Sequence, residues 1–405
     1  MTSAATRSPN RLSPTRFVVA FGVVSLLADF VYEGARSIVG PYLATLGASA
    51  ALVGLITGAG EAVALVFRLG TGVVADRTGR HWALSIAGYA ITLVSVPLLA
   101  LVNTLWQAAG LVIAERFGKA VRSPARDTML AHAAVRMGRG WGFGVHEALD
   151  QTGALTGPLL VALMVAVSGF DLAFAVLAVP AAVAMLVLLR LRAAVPAPAD
   201  YDPAPHEEPA GATPASLRSL PRRFWLYAAF TALSVAGYAT FGVLSYHLEV
   251  RDVVPAAQIP LIYAAAMAVD AAAALASGRA YDRIGLRGLV LVPVLSAIVP
   301  FLAFTTTPAL VWAGAIVWGA ALGMQESTMR AAVADLVPGS RLGTGYGAFT
   351  AIYGLAWLGG STAIGALYAE SVEAVIVFTL AAQALALAAF APLARSRGQT
   401  AGAGT

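Results

Sequence analysis

The chain has 405 residues, of which 59% are hydrophobic and 12% charged, with no cysteine and a formal net charge of +5. An ordinary soluble domain carries about 25% charged residues, so this supply cannot build a water-exposed surface. The apolar content and the aperiodic glycines also exclude disorder and collagen-like repeats. Without cysteine there is no disulfide, thiolate metal site, iron–sulfur cluster or Cys nucleophile.

A bilayer core about 30 Å thick needs about 20 apolar residues per helix. Twelve such runs follow one another: 16–40, 50–75, 82–102, 105–130, 140–167, 171–191, 223–249, 257–280, 287–304, 308–334, 343–367 and 372–394. None alternates with period two, as an outer-membrane barrel strand would. Helices satisfy every backbone group within one span, so helices are expected.

In the first run Arg11 and Arg16 precede an apolar stretch, as in a signal peptide. Asp29, Glu33 and Arg36 follow with no A-x-A site, which argues against cleavage. These three charges are spaced four and three apart and share one helical face. A charge at the bilayer centre costs at least about 2.5–3.5 kcal/mol, so each is a candidate for proton or substrate binding. Glu61 lies near the middle of the second run, which ends in Gly72-Val-Val-Ala-Asp76-Arg77-Thr-Gly79-Arg80. The fourth run carries Glu115 and Arg116 centrally. Arg68, Lys119, Arg122 and Arg126 read as edge residues whose long side chains snorkel to water.

The fifth run holds Gly144, Gly153, Gly157 and Pro158 on its small-residue positions, and His146, Glu147 and Asp150 among them. At about 1.5 Å per residue from Arg139 the acids sit about 12–17 Å deep. Glu147 and Asp150, three apart, are expected on one face, and His146 is a possible relay. Residues 192–221 are rich in proline and alanine and read as a flexible or partly extended linker. They separate residues 1–191 from 222–405. The eighth run carries Asp270 and ends in Gly278-Arg-Ala-Tyr-Asp282-Arg283-Ile-Gly285. The tenth holds Glu326 and Arg330, four apart. Tyr238, Tyr246, Tyr263, Trp318, Tyr353 and Trp357 are expected to line an apolar cavity in the second half.

The Gly72 and Gly278 segments occupy matching places after runs two and eight. Gly142-Phe-Gly144 and Gly345-Tyr-Gly347 do the same in runs five and eleven. A duplicated six-helix unit follows. The predicted fold is an all-α polytopic membrane protein: twelve transmembrane helices as two pseudo-symmetric six-helix bundles. Arginines collect in the N-terminal segment, the even-numbered loops, the linker and the tail. Positive-inside bias places both termini in the cytoplasm of a cell inner (plasma) membrane protein.

The element G-x-x-x-D-R-x-G-R at Gly72–Arg80, with twelve spans, a central linker and a degenerate second copy, resembles the signature of the major facilitator superfamily. That resemblance implies alternating access, with Gly72, Asp76, Arg77, Gly79, Arg80, Asp282 and Arg283 as a latch of the outward-open state. Gly144, Gly153, Gly157 and Pro158 resemble the antiporter motif of the superfamily's proton-coupled exporters, although Val161 and Ala162 replace two further glycines. These small residues are expected to pack against the partner half. Arg116 resembles the arginine that opens the family's fourth-span motif.

No Walker loop, H-E-x-x-H motif, G-x-S-x-G elbow or aromatic nucleic-acid platform is present. The sequence therefore predicts a non-enzymatic secondary transporter without a cofactor, acting as a monomer on a small molecule and protons, with the lipid bilayer and no nucleic acid as further partner. Export of a small amphipathic compound or drug by antiport is the leading expectation. Proton-linked uptake of a sugar, organic acid or other nutrient is the alternative.

Overall fold

The computed structural model describes residues 10–135, 137–202, 217–338 and 341–395, and among these it contains helix and no strand. Helix α1 spans Pro14–Thr45. The Ser13 hydroxyl caps it by accepting from the Arg16 amide at 3.4 Å, and Pro14 fills the first position, where no amide donor is needed. Helix α2 (Ala50–Thr78) is capped by Ser49 and stops at Gly79, whose φ of 62° is a left-handed terminator. Helices α3 (His81–Leu98) and α4 (Leu105–Ala134) follow. Helix α5 (Arg139–Val176) breaks at Ser168 and Gly169, where φ reaches 80° at the glycine, and α6 covers Ala178–Ala194.

In the second half α7 (Arg222–Ala236) and α8 (Phe241–Val250) are two pieces of one span. After them come α9 (Ile259–Ile284), α10 (Leu291–Ala303), α11 (Pro308–Leu336), α12 (Leu342–Glu370) and α13 (Val372–Arg395). Among the described residues, 9 stretches are long and apolar enough to cross a membrane. Two of them, of 54 and 48 residues, are each long enough for two crossings and are interrupted at Gly169 and Gly285. Helix α4 is long enough but too charged for that set. The pattern is consistent with the expected twelve.

Buried apolar side chains form two cores. One draws on residues 17–201; the other, Ala50 aside, draws on residues 220–393. The ends of the predicted flexible linker are not free. Arg11 N–H donates to Ala194 O, the Asn10 side chain bonds Ala197, and Trp82 Nε1 donates to Val195 O at 3.0 Å. Tyr201 is buried against Phe17, and its hydroxyl donates to Leu12 O at 2.7 Å. On the far side Arg341 donates to Ser219 O. Residues 203–216 lie outside the described residues.

The halves meet along α2 with α12, α1 with α8, and α5 with α9. A Cβ on Gly54 would strike Ser361 O, one on Gly365 would strike Ala50 O, and one on Gly40 would strike Gly242 O. These approaches lie toward the end opposite the N-terminus. Toward the N-terminal end, a Cβ on Gly144, Gly278 or Gly343 would meet open space.

Candidate functional site

Helix α4 organises the charges. Its ionisable residues recur every three or four positions, so Glu115, Arg116, Lys119, Arg122, Arg126 and Asp127 form a stripe facing α1, α2 and α5. At the upper end of this stripe one Glu61 oxygen lies 3.1 Å from Arg36 and 3.1 Å from Arg116. Arg116 also reaches Glu115 at 3.2 Å, and Arg36 reaches Glu33 at 3.6 Å. The Tyr32 hydroxyl accepts from both guanidinium groups, and its ring lies 4.4 Å from Arg116 and 4.2 Å from Lys119. Three carboxylates thus balance three cations. A charge group so far from water persists only when compensated in this way.

This cluster forms the polar wall of a cavity between the halves. Tyr32, Arg36, Glu61, Glu115 and Arg116 face Thr240, Phe241 and Trp357 from the second half. Tyr263 on α9 donates a hydrogen bond across the interface to Glu33. The cavity therefore offers a small solute both signs of charge and an aromatic surface.

A second cluster lies nearer the N-terminal end. Arg122, 1% exposed, sits 3.6 Å from Asp29 and 4.5 Å from the Tyr89 ring. Arg126 pairs with Asp127 at 3.0 Å and Asp150 at 3.7 Å, and Asp127 also binds Arg68 at 2.7 Å. His146 lies 3.4 Å from Asp150, and the Ser25 hydroxyl links His146 to Tyr89.

Several expectations need correction. Arg122, Arg126 and Lys119 do not snorkel; acids and aromatic faces hold them inside the bundle. Asp150 turns to Arg126, whereas Glu147, three residues earlier, is exposed and accepts from Gln151 at 3.3 Å. Gly153 and Gly157 pack not on the partner half but on α1, where a Cβ would strike the backbone of Leu26 and Phe30. Tyr238, Tyr263 and Trp318 are packed side chains rather than cavity lining, with Tyr238 and Trp318 stacked at 5.7 Å.

Asp270 is 2% exposed, and among the described residues its Oδ1 has no hydrogen-bond partner. Glu326 is exposed on α11, while the Arg330 side chain lies outside the described residues. Pro158 lies inside α5 beside Gly157. Asp76, Arg77, Gly79 and Arg80 are exposed after Gly72, as are Asp282 and Arg283, and among the described residues none of these charges makes an ion pair. Tyr32, Ser25 and Tyr89 were not among the residues singled out from the sequence, and Tyr263 was expected as cavity lining, not as a donor to Glu33. Tyr32 was within reach of sequence reasoning, since it lies four residues before Arg36 on the charged face of α1.

Residues 21–361 match the family model described as Major Facilitator Superfamily. An uncharacterized protein of Mycobacterium tuberculosis (strain H37Rv) is 52% identical over 380 residues, covering 93% of this chain and 92% of the relative. Among solved structures, a mutant of the nucleoside transporter NupG superposes with a TM-score of 0.77 at 17% identity, over 93% of this chain and 99% of that one. A bacterial homologue of the human lysosomal transporter Spinster, in an inward-facing and unoccupied conformation, gives a TM-score of 0.72 at 15% identity, over 95% and 96%.

Proposed function

The chain belongs to the major facilitator superfamily and is a multi-pass secondary transporter rather than an enzyme; on that premise we propose that it exchanges protons for a small amphipathic solute, which it exports. The observation that carries this reading is Glu61, one carboxylate shared by Arg36 and Arg116 at the wall of the cavity between the halves. Such a carboxylate has two stable arrangements. Ionised, it holds both guanidinium groups; with a proton or a solute competing for them, it releases one. Asp29 and Asp150 supply further exchangeable sites in the second cluster.

With both termini in the cytoplasm, as the arginine distribution favours, the closed end faces outward and the open end inward. The exposed Asp76, Arg77, Arg80, Asp282 and Arg283 then belong to a latch that is released in this state and engages when the inner ends close. Export rests on the likeness of Gly144, Gly153, Gly157 and Pro158 to the antiporter motif. The protein acts as a monomer in the plasma membrane, since one chain contains both halves of the pathway.

The test uses the purified chain in proteoliposomes carrying an imposed pH gradient, with a panel of amphipathic cations and metabolites found first by thermal stabilisation of the folded protein. Flux that follows the gradient and reverses with it supports the reading; flux indifferent to the gradient removes proton coupling. One observation favours the uptake alternative: Arg36 and Arg116 both line the cavity and are able to hold an anion. Under that reading Arg36→Gln abolishes binding of an anionic solute, and neutral or cationic compounds never bind.

A further inference from the structure

The Glu33–Tyr263 hydrogen bond joins a titratable group of one half to a donor of the other. Glu33 sits among charged and titratable groups: Asp29, Tyr32 and Arg36 on α1, Lys119 on α4, and Tyr263 and Asp270 on α9, with Glu61 on α2 and Arg116 on α4 joined to it through Arg36. The groups on α1, α2 and α4 belong to its own half and travel with it. Of the groups named, Tyr263 and Asp270 alone belong to the other half, so their distances to Glu33 change when the halves rock. Asp270, when ionised, repels an ionised Glu33; Tyr263 attracts it.

The Tyr263 ring is held firmly for that purpose. It lies edge-on to Phe241 at 4.5 Å and beside Trp318 at 6.2 Å. Trp318 donates to Ala239 O at 2.7 Å and accepts from the Tyr238 hydroxyl at 2.8 Å through its carbonyl. Both partners sit in the break between α7 and α8, so the phenol is braced against the bend in the seventh span. A phenol donating to a carboxylate makes a charge-assisted bond, about twice as strong as one to a neutral acceptor.

We propose that Tyr263 is a positioning residue that reads the charge of Glu33: ionised Glu33 holds α9 against α1 and keeps the outer end closed, and protonated Glu33 lets it go. This rests on the proton-exchange reading above and sharpens it. The empty, ionised carrier is held facing inward and leaves that state only after taking up a proton or a solute. A symporter must return empty to complete its cycle, and this contact opposes that return. An exchanger makes no empty step out of the inward-facing state, so this contact costs its cycle nothing. The contact therefore belongs to exchange rather than to uptake with a co-moving proton.

The chain has no cysteine, so introduced pairs carry the only labels. Spin labels on Thr45→Cys with Glu370→Cys report the outer end, and Thr78→Cys with Ala280→Cys report the inner end. Distances are read in nanodiscs, without substrate or gradient, between about pH 5 and pH 9. The unsubstituted cavity is expected to show a short outer distance at high pH and a growing long-distance population as pH falls. Tyr263→Phe keeps the ring and its packing but removes the donor. It should raise the outer-open to outer-closed ratio at high pH by about tenfold and flatten the pH response. Glu33→Gln should do the same, and the double variant should add nothing further. Tyr263→Phe distributions that match the unsubstituted cavity at every pH overturn the inference. Shifted distances with a flux indifferent to the gradient would leave the contact standing and remove the exchange function instead.

Discussion

Glu61→Gln tests whether the cavity charges act as one unit. Glu61 lies 3.1 Å from each of two guanidinium groups, and its side chain is 17% exposed. At an effective dielectric of about 20, a unit pair about 4 Å apart interacts by about 4 kcal/mol, so two pairs give about 8 kcal/mol before desolvation. Neutralising Glu61 also removes its own burial penalty of several kcal/mol. The remaining acids soften the loss, because Arg36 keeps Glu33 at 3.6 Å and Arg116 keeps Glu115 at 3.2 Å. The net destabilisation is expected at about 3–5 kcal/mol. Arg116→Gln alone should cost a similar amount. The double variant restores charge balance and should cost less than the sum by about 2 kcal/mol. The assay is a denaturant titration of the four proteins in mixed micelles. Strict additivity, or a Glu61→Gln variant as stable as the parent, would refute the idea that Glu61 bridges the two arginines.

Four further predictions concern packing. Gly157→Val forces a side chain into the Phe30 backbone and should destabilise by about 1–3 kcal/mol or more, read as loss of the monodisperse peak in size exclusion. Gly144→Ala, at open space earlier in the same motif, should leave that peak unchanged or slightly more stable. Gly54→Val collides with Ser361 O and should prop the outer end open, lengthening the Thr45–Glu370 label distance without loss of folding; an unchanged distance would count against the outer ends meeting there. Tyr201→Ala removes the hydroxyl bond to Leu12 O and the ring contact with Phe17, and should speed limited proteolysis near residues 194–202.

Much of the architecture was legible because lipid imposes it. Runs of about 20 apolar residues, arginine clusters and paired Gly72 and Gly278 segments are one-dimensional signals of membrane spans and duplication. The single-helix arrangement of Asp29, Glu33 and Arg36 was legible for the same reason. What each of them touches was not. Asp29 turns to Arg122 and Arg36 to Glu61, and those choices depend on how α1, α2 and α4 are rotated and offset against one another. Sequence fixes the face of a helix, not which neighbour covers it. The α4 stripe was visible in its spacing, yet an arginine near a helix end and an arginine locked onto an acid look alike until the second helix is placed. The antiporter-like glycines show the same limit: small residues announce a close approach without naming the partner, which here is α1.

The seam of α2 against α12 is built largely from glycine and serine, with backbone lying on backbone at Gly54, Ser361 and Gly365. Such a seam carries few long side chains that interlock, so the two helices can part or tilt without repacking rotamers. A modest preference of bound cargo for one orientation can then tip the population. The smoothness of that hinge line is thus what lets weak binding energies do the work of a motor.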